Sequence, residues 1–164
     1  MDLTRFEKFR QGLAAHLPGA VSQILGKEKG SDFCEIGFIT TDDLYGCFIT
    51  WDTSGCIDEY FDWDQQLEPE TDFLYQPLVE VVDACKDIDL CTASPEKWEF
   101  VKGFLSVLEG AVKALPDEVF EENGFAREDI LFFATMSDGD YVEEMMNTSL
   151  RSFNSMETME IYEL

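Results

Sequence analysis

Two apolar runs, Phe33-Cys34-Glu35-Ile36-Gly37-Phe38-Ile39 and Tyr45-Gly46-Cys47-Phe48-Ile49-Thr50-Trp51, flank the short segment Thr41-Asp42-Asp43-Leu44. Runs of aromatic and β-branched residues on either side of a polar turn predict a β-hairpin. Because the runs are strongly apolar, we expect the hairpin to lie at the centre of a sheet. Its carboxylates should then be displaced to the turn, to the strand ends and to the loop that follows.

The stretch that contains this hairpin, residues 30–85, has many acidic residues but no Lys and no Arg. The loop after the second strand also carries aromatic residues, Tyr60, Phe61 and Trp63. We therefore expect a rigid, negatively charged surface with aromatic side chains on it. Trp63 lies between two acidic residues and is the best candidate for an exposed anchor, although an aromatic residue that covers the core fits the same pattern.

Composition indicates one folded domain with an unusual charge. The chain has 164 residues, of which 45% are hydrophobic and 13% aromatic, and its formal net charge is −24. This length suits a single domain with a proper core, and a disordered acidic tail would contain few aromatic residues. The negative charge disfavours direct binding to nucleic acid or to anionic lipid and favours a partner with a basic face, although solubility alone is an alternative reason for it.

Hydrophobic periodicity predicts a first helix from Leu3 onward, with Thr4 and Glu7 as a capping box and a break or kink at Pro18. The apolar spacing from Phe73 to Cys85 predicts a second helix, with Pro77 in its first turn. Ser94-Pro95-Glu96 is the clearest helix start in the chain, because Ser caps, Pro suits the first helical position and Glu favours the helix dipole.

Residues 130–135 read as a strand that is apolar on both faces and therefore central. The segment Ser137-Asp138-Gly139-Asp140 turns this strand into a further helix, and residues 159–162 predict a terminal edge strand. The whole chain, residues 1–164, should form a single α+β domain in which helices flank an antiparallel or mixed central sheet.

Catalytic and metal sites have little support in the sequence. His16 is the single histidine and has no Cys or His at metal-ligand spacing, so neither a metal centre nor a catalytic triad is indicated. The acidic pairs, Asp138 and Asp140 among them, could hold a hard cation, and paired carboxylates could serve a hydrolase. With 35 acidic residues such pairs arise by chance, so we predict no catalytic residue, no metal and no cofactor.

Five cysteines without Cys-x-x-Cys spacing indicate reduced, buried thiols. Charged residues interrupt the N-terminal segment, which argues against a signal peptide, and no apolar run approaches the length of a membrane span. The sequence therefore predicts a cytoplasmic protein.

The order of the elements also carries a resemblance. The N-terminal helix, hairpin, loop with Trp63, long helix from Trp98, strand ending in Ser137-Asp138 and the motif Ser149-x-x-x-Phe153-Asn154 resemble the bacterial domain-of-unknown-function family 4303. The resemblance covers nearly the whole chain and supplies no catalytic residues. It implies a bacterial cytosolic protein similar to immunity proteins of polymorphic-toxin and contact-dependent inhibition systems.

Charge and resemblance together predict a binding protein rather than an enzyme. The leading hypothesis is an immunity protein that neutralises a basic toxin domain such as a nuclease, and the alternative is an interaction or regulatory module unconnected with toxins. A nuclease must present Lys and Arg to phosphates, and carboxylates can compete for that surface. The expected partner contacts are Asp42, Asp43, Asp58, Glu59, Asp62 and Asp64 as charges, with Tyr60 and Trp63 as anchors.

Overall fold

The computed structural model describes residues 3–55, 57, 60, 63, 65–67 and 72–164. Strands β1 (Cys34–Thr40) and β2 (Cys47–Asp52) form the predicted antiparallel hairpin, in which Phe38 is paired with Ile49. Strand β3 (Ile130–Met136) is parallel to β1, and the strand order is β2-β1-β3. The sheet is therefore mixed. Among the described strands, only β1 has a neighbour on both sides, so the predicted central position of the hairpin is correct for β1 and wrong for β2.

Helices surround this sheet, and the prediction of an α+β fold is confirmed. In the described part of the chain they are α1 (Glu7–Lys27), α2 (Asp72–Ala84), α3 (Pro95–Lys113), α4 (Glu118–Glu121), α5 (Val142–Phe153) and α6 (Met156–Ile161), with 3-10 turns at Leu3–Phe6 and Arg127–Asp129.

The sheet has an apolar layer on each face. One face, which includes Ile36 and Phe38, belongs to the main core, where Phe9 of α1 stacks on Phe104 of α3 with ring centroids 5.5 Å apart. The other face carries a second cluster that includes Ile39 and Phe133. Because side chains alternate across a strand, burial on both faces explains the nearly continuous apolar runs of β1 and β3.

Helix starts follow the sequence in one case and depart from it in another. The Ser94 hydroxyl accepts a hydrogen bond from the amide of Lys97 at 3.0 Å, which confirms the predicted start of α3. A 3-10 turn precedes α1, which begins only at Glu7 and has no side-chain cap at Phe6. The helix also continues through Pro18, so it is not broken there.

The predicted terminal strand is wrong, because residues 156–161 form α6. Ser155 caps this helix, and its hydroxyl accepts a hydrogen bond from the Thr158 amide at 3.1 Å. The short apolar alternation at Met159 and Ile161 suggested a strand, but the cap stabilises the first turn of a helix instead. Tyr162, just after the helix, has its hydroxyl 2.8 Å from the carbonyl oxygen of Asp129.

The prediction that β3 is central is also wrong, because its outer edge has no strand beside it in the described residues. Asn154 takes the place of a neighbouring strand: its side chain accepts from the Phe132 amide at 2.8 Å and donates to the Phe132 carbonyl at 2.7 Å. The Ser149 hydroxyl accepts from the Ala134 amide at 2.8 Å and lies 3.0 Å from the Ala134 carbonyl. These side chains satisfy the outward backbone groups, so an edge strand can be buried on both faces.

The expected displacement of carboxylates from the hairpin strands fails at Glu35. This residue lies inside β1, opposite Asp52 of β2, and its side chain is completely buried. Its position on the face with Gly37 and Ile39 follows from the alternation of side chains along the strand. The apolar run therefore contains a carboxyl group at a core position.

Candidate protein-binding surface

The turn between β1 and β2 carries the two predicted contact residues that the structure describes most fully, Asp42 and Asp43. A leucine with a positive φ of 56°, Leu44, follows them and is fully buried beneath the turn. Its amide donates to the Thr41 carbonyl at 3.0 Å. A buried leucine in the left-handed region is uncommon and is held there by its surroundings, so the turn has a fixed conformation.

Asp42 forms an internal ion pair. Its Oδ1 lies 2.7 Å from Nζ of Lys97 on α3, and the Lys97 side chain is completely buried whereas 29% of the Asp42 side chain is exposed. A buried ammonium group requires a compensating charge, because its removal from water costs several kcal/mol. The ion pair of Asp42 therefore joins the turn to α3, and only the exposed part of its side chain is available to a partner protein.

Asp43 is held within the turn by neutral hydrogen-bond donors. Its Oδ1 accepts a hydrogen bond from the Thr41 hydroxyl at 2.7 Å and from the Tyr45 amide at 3.1 Å. Such an arrangement is a common turn stabiliser for Asp, and neutral donors leave the charge uncompensated. Asp43 is half-buried and presents a fixed carboxylate next to Tyr45.

A second acidic turn lies against the first. The amide of Ser137 donates to the Thr40 carbonyl at 2.7 Å, which joins the ends of the parallel strands β1 and β3. Gly139 has a φ of +99°, and a Cβ there would lie 2.0 Å from Oδ1 of Asp42, so the turn requires glycine. The exposed carboxylates of Asp138 and Asp140 on either side are thereby placed at the same end of the sheet.

Two exposed tyrosines lie beside these turns, and the sequence reasoning missed them. Tyr45 is 40% exposed and Tyr75 of α2 is 42% exposed. The Tyr75 ring covers Gly46, where a Cβ would lie 2.6 Å from the ring. The charge of Asp83 is the main cause of a raised pKa of Tyr45, and burial, a hydrogen bond to Asp83 and the charges of Tyr75 and Asp43 act in the same direction. The tyrosines are therefore close together between carboxylates.

We use the term acidic end for this continuous group of side chains. It consists of Asp42, Asp43, Tyr45, Tyr75, Asp83, Asp138 and Asp140.

The predicted anchors in the following loop lie elsewhere. Tyr60 is only 7% exposed, packs edge-on against Phe133 and donates its hydroxyl proton to the Met136 carbonyl at 3.1 Å. Its predicted exposure is wrong, because its ring covers the second face of the sheet. Trp63 is half-buried and also packs edge-on against Phe133, which fits the alternative of an aromatic residue covering the core. Asp58, Glu59, Asp62 and Asp64 lie outside the described residues.

Within the described residues, the acidic end holds no metal-binding cluster and does not line the cavity between α1 and α3. Across the described ranges, no group of three or more His, Cys, Asp or Glu side chains is placed to hold a metal ion. A cavity of about 690 Å³ lies between α1 and α3, where residues such as Leu13, Pro18 and Val107 line it. The described contact residues Asp42, Asp43, Tyr60 and Trp63 do not line this cavity. The acidic end is formed by turns that meet at one end of the sheet, and its exposed carboxylates and tyrosines suit contact with a macromolecule.

The comparisons with known proteins add no relative. The chain matches no family model, no curated protein and no solved structure. The likeness to family 4303 therefore stays a prediction. Within the described residues, no helix combines the length and the apolar character needed to cross a membrane.

Proposed function

We propose that this chain is a protein-binding protein that captures a partner with a basic face, and that it acts as an immunity protein against a basic toxin domain such as a nuclease. The acidic end is the observation that carries the proposal. It joins fixed carboxylates to two exposed tyrosines, and the lysine that reaches it, Lys97, is buried and paired with Asp42.

The physical argument has two parts, of which the first concerns charge. Complementary charges accelerate the encounter of two proteins and align them, and this effect weakens as salt screens the charges. Asp43, Asp83, Asp138 and Asp140 can supply that attraction, since none of the ion pairs between described residues includes them. A chain with a net charge of −24 attracts a basic protein from many directions, and the acidic end is the surface on which that protein would dock.

The second part concerns the tyrosines. Exposed aromatic side chains bury a large area with few rotatable bonds, and Tyr, Trp and Arg dominate the energy of protein interfaces. Carboxylates next to Tyr45 and Tyr75 attract a Lys or Arg of the partner, whose cation can then stack on the faces of the rings. These tyrosines replace Tyr60 as the anchors that this function needs.

The test measures binding between this protein and the product of the neighbouring gene on the chromosome. In a double variant, Asp43→Asn with Asp83→Asn, we expect the affinity to fall about 10-fold, because two fixed charges are lost while each asparagine keeps an acceptor oxygen. Replacing both tyrosines, Tyr45→Ala with Tyr75→Ala, should weaken binding by about 30-fold or more. Surface plasmon resonance at several salt concentrations provides both numbers.

The matched control is Glu121→Gln with Glu122→Gln, which removes the same two charges from an exposed site. This site follows the opposite end of α3, a helix of 19 residues and therefore roughly 28 Å long. The control should change the affinity less than about 2-fold, since only the net charge is altered. Equal losses of affinity in the Asp43/Asp83 variant and in the Glu121/Glu122 control would contradict the proposal. So would an affinity that does not change with salt.

A further inference from the structure

Glu35 is an unpartnered carboxyl group in the interior of the protein. Its side chain has no exposed surface, and neither carboxylate oxygen makes a hydrogen bond. None of the ion pairs between described residues includes it. A buried polar group without a partner costs free energy, so a carboxyl group retained at a core position calls for an explanation.

The surroundings of Glu35 favour its protonated form. Burial is the main cause that raises its pKa to about 7, and the charge of Asp52 on β2 adds to the rise. The amides of Glu35 and Gly55 lower the pKa in part, although they do not reach hydrogen-bond geometry. On the side of α6, the nearby titratable group is Tyr162, whose pKa is raised mainly by burial and further by the charge of Glu35.

A cavity of about 220 Å³ lies next to this carboxyl group, with Gly55 in the wall between them. Its lining residues are Phe33, Gly55, Ile161, Tyr162 and Glu163. A Cβ on Gly55 would lie 3.8 Å from Oε1 of Glu35 and 3.4 Å from the Phe33 ring. Because Gly55 has no side chain, the carboxylate lies one van der Waals layer behind the cavity wall. The volume of about 220 Å³ equals the share of roughly seven liquid water molecules.

We propose that this cavity binds an alkylammonium group, with Glu35 as its buried counter-charge. The rings of Phe33 and Tyr162 meet edge to face with centroids 5.7 Å apart and can accept both the apolar stem and the cation. Glu163 adds a carboxylate from the exposed side. This proposal does not rest on the capture of a basic protein.

The chemistry of the wall favours an ammonium group over the other cations. A hard metal ion requires several oxygen ligands at about 2–2.6 Å, and the described residues provide no such group here. A guanidinium group prefers two carboxylate oxygens in one plane, whereas the Glu35 atom nearest to the Gly55 wall is a single oxygen, Oε1. A compact charge on a flexible apolar stem matches an aromatic cavity with one carboxylate behind it.

Binding should be linked to the release of a proton. The ammonium group attracts the ionised form of Glu35, so the Glu35 proton leaves to water as the ligand binds. Among the described residues, Cys34, Asp52, Tyr162 and Glu163 are the other titratable groups near this place. Burial raises the pKa values of Cys34 and Tyr162, so neither group releases its proton in the pH range in which Glu35 titrates, and Glu35 accounts for the linkage.

The test is a titration of the isotope-labelled protein with n-butylammonium chloride, followed by the amide resonances of Gly55 and Tyr162. We expect saturable shifts, and an affinity up to about 30-fold higher near pH 8 than near pH 5.5, because the ionised fraction of Glu35 rises by about that factor. In Glu35→Gln the affinity should be low and independent of pH. The neutral isostere n-butanol should produce no saturable shift at these two residues.

Several results would overturn the proposal. These are the absence of saturable shifts near pH 8, an affinity of the wild-type protein that does not change with pH, or equal binding of n-butanol. If Glu35→Gln does not fold, a carbon-detected titration of the Glu35 carboxyl group in the wild-type protein decides, because its pKa must fall when butylammonium is added. A pKa that does not move contradicts the proposal.

A further arm distinguishes the source of the ammonium group. A lysine blocked at both its amino and carboxyl ends presents the same side chain as a protein lysine. If the blocked lysine binds as well as butylammonium, the site accepts a partner's lysine. If butylammonium binds and the blocked lysine does not, the site takes a small amine. Both results support the alkylammonium site, and neither depends on whether the acidic end binds a basic protein.

Discussion

The two ends of β1 differ in whether a buried ionisable group has a partner of opposite charge. Asp42, just beyond one end, lies 2.7 Å from the fully buried ammonium group of Lys97. Glu35, next to the other end, is fully buried and has no partner. At one end a carboxylate and an ammonium group lie in contact and compensate each other, whereas at the other end burial raises the pKa of Glu35 to about 7 and favours the neutral acid. One strand thus connects a rigid charged turn to a carboxyl group that responds to pH.

The largest effect should come from breaking the pair. In Asp42→Asn, Lys97 keeps its charge in the interior without a compensating carboxylate, and we expect the free energy of unfolding to fall by about 3 kcal/mol. Chemical denaturation at neutral pH measures the loss. The double variant Asp42→Asn with Lys97→Met should recover much of it, because no buried charge remains. If the double variant is no more stable than Asp42→Asn, the buried ammonium group is not the cause.

A slightly smaller effect, a loss of stability as pH rises, should distinguish Glu35 from the exposed carboxylates. Its folded-state pKa of about 7 lies above the value of about 4.3 for an unfolded chain, so the native state binds more protons between these values. Stability contributed by protonated Glu35 is therefore lost as pH rises, by about 2–3 kcal/mol between roughly pH 5 and pH 8.

Thermal and chemical unfolding of Glu35→Gln should show this pH dependence reduced by that amount. The general repulsion among acidic side chains also grows with pH, so Glu163→Gln, at an exposed residue, is the matched control and should keep the wild-type slope. Equal slopes in the two variants would show that Glu35 titrates normally.

The smallest of the three effects concerns the outer edge of β3. Asn154→Ala leaves both the N–H and C=O of Phe132 without the side-chain partners described above, and we expect a loss of about 2 kcal/mol. Asn147→Ala, at an exposed position of α5, is the matched control and should change stability by less than about 0.5 kcal/mol. Similar losses in both would indicate an effect of helix propensity rather than of the strand edge.

Local signals explain what the sequence predicted correctly. The hairpin of β1 and β2 and the start of α3 at Ser94 depend on neighbouring residues, and both are confirmed. The apolar run of residues 130–135 predicts that β3 is a strand, but it does not predict that β3 lies at the edge of the sheet. That position depends on Asn154 and Ser149, whose backbone partners lie 22 and 15 residues away.

The candidate site shows the same division. The turn with Asp42 and Asp43 was predictable from its sequence, but the pairing of Asp42 with Lys97 joins residues 55 positions apart. Tyr75 occupies a helix, and periodicity does not show that its ring reaches Gly46. Tyr60 looked exposed because of its acidic neighbours, whereas its ring fills the second apolar layer.

The outer edge of β3 has a further consequence for the behaviour of the protein in solution. An apolar strand with open backbone groups is a template on which another chain can add a strand, and such addition leads to aggregation and amyloid. Asn154 and Ser149 occupy the hydrogen-bonding positions that an incoming strand would need. Two small polar side chains thereby protect the most hydrophobic strand of the fold from self-association, a task that charge repulsion alone performs poorly at high salt.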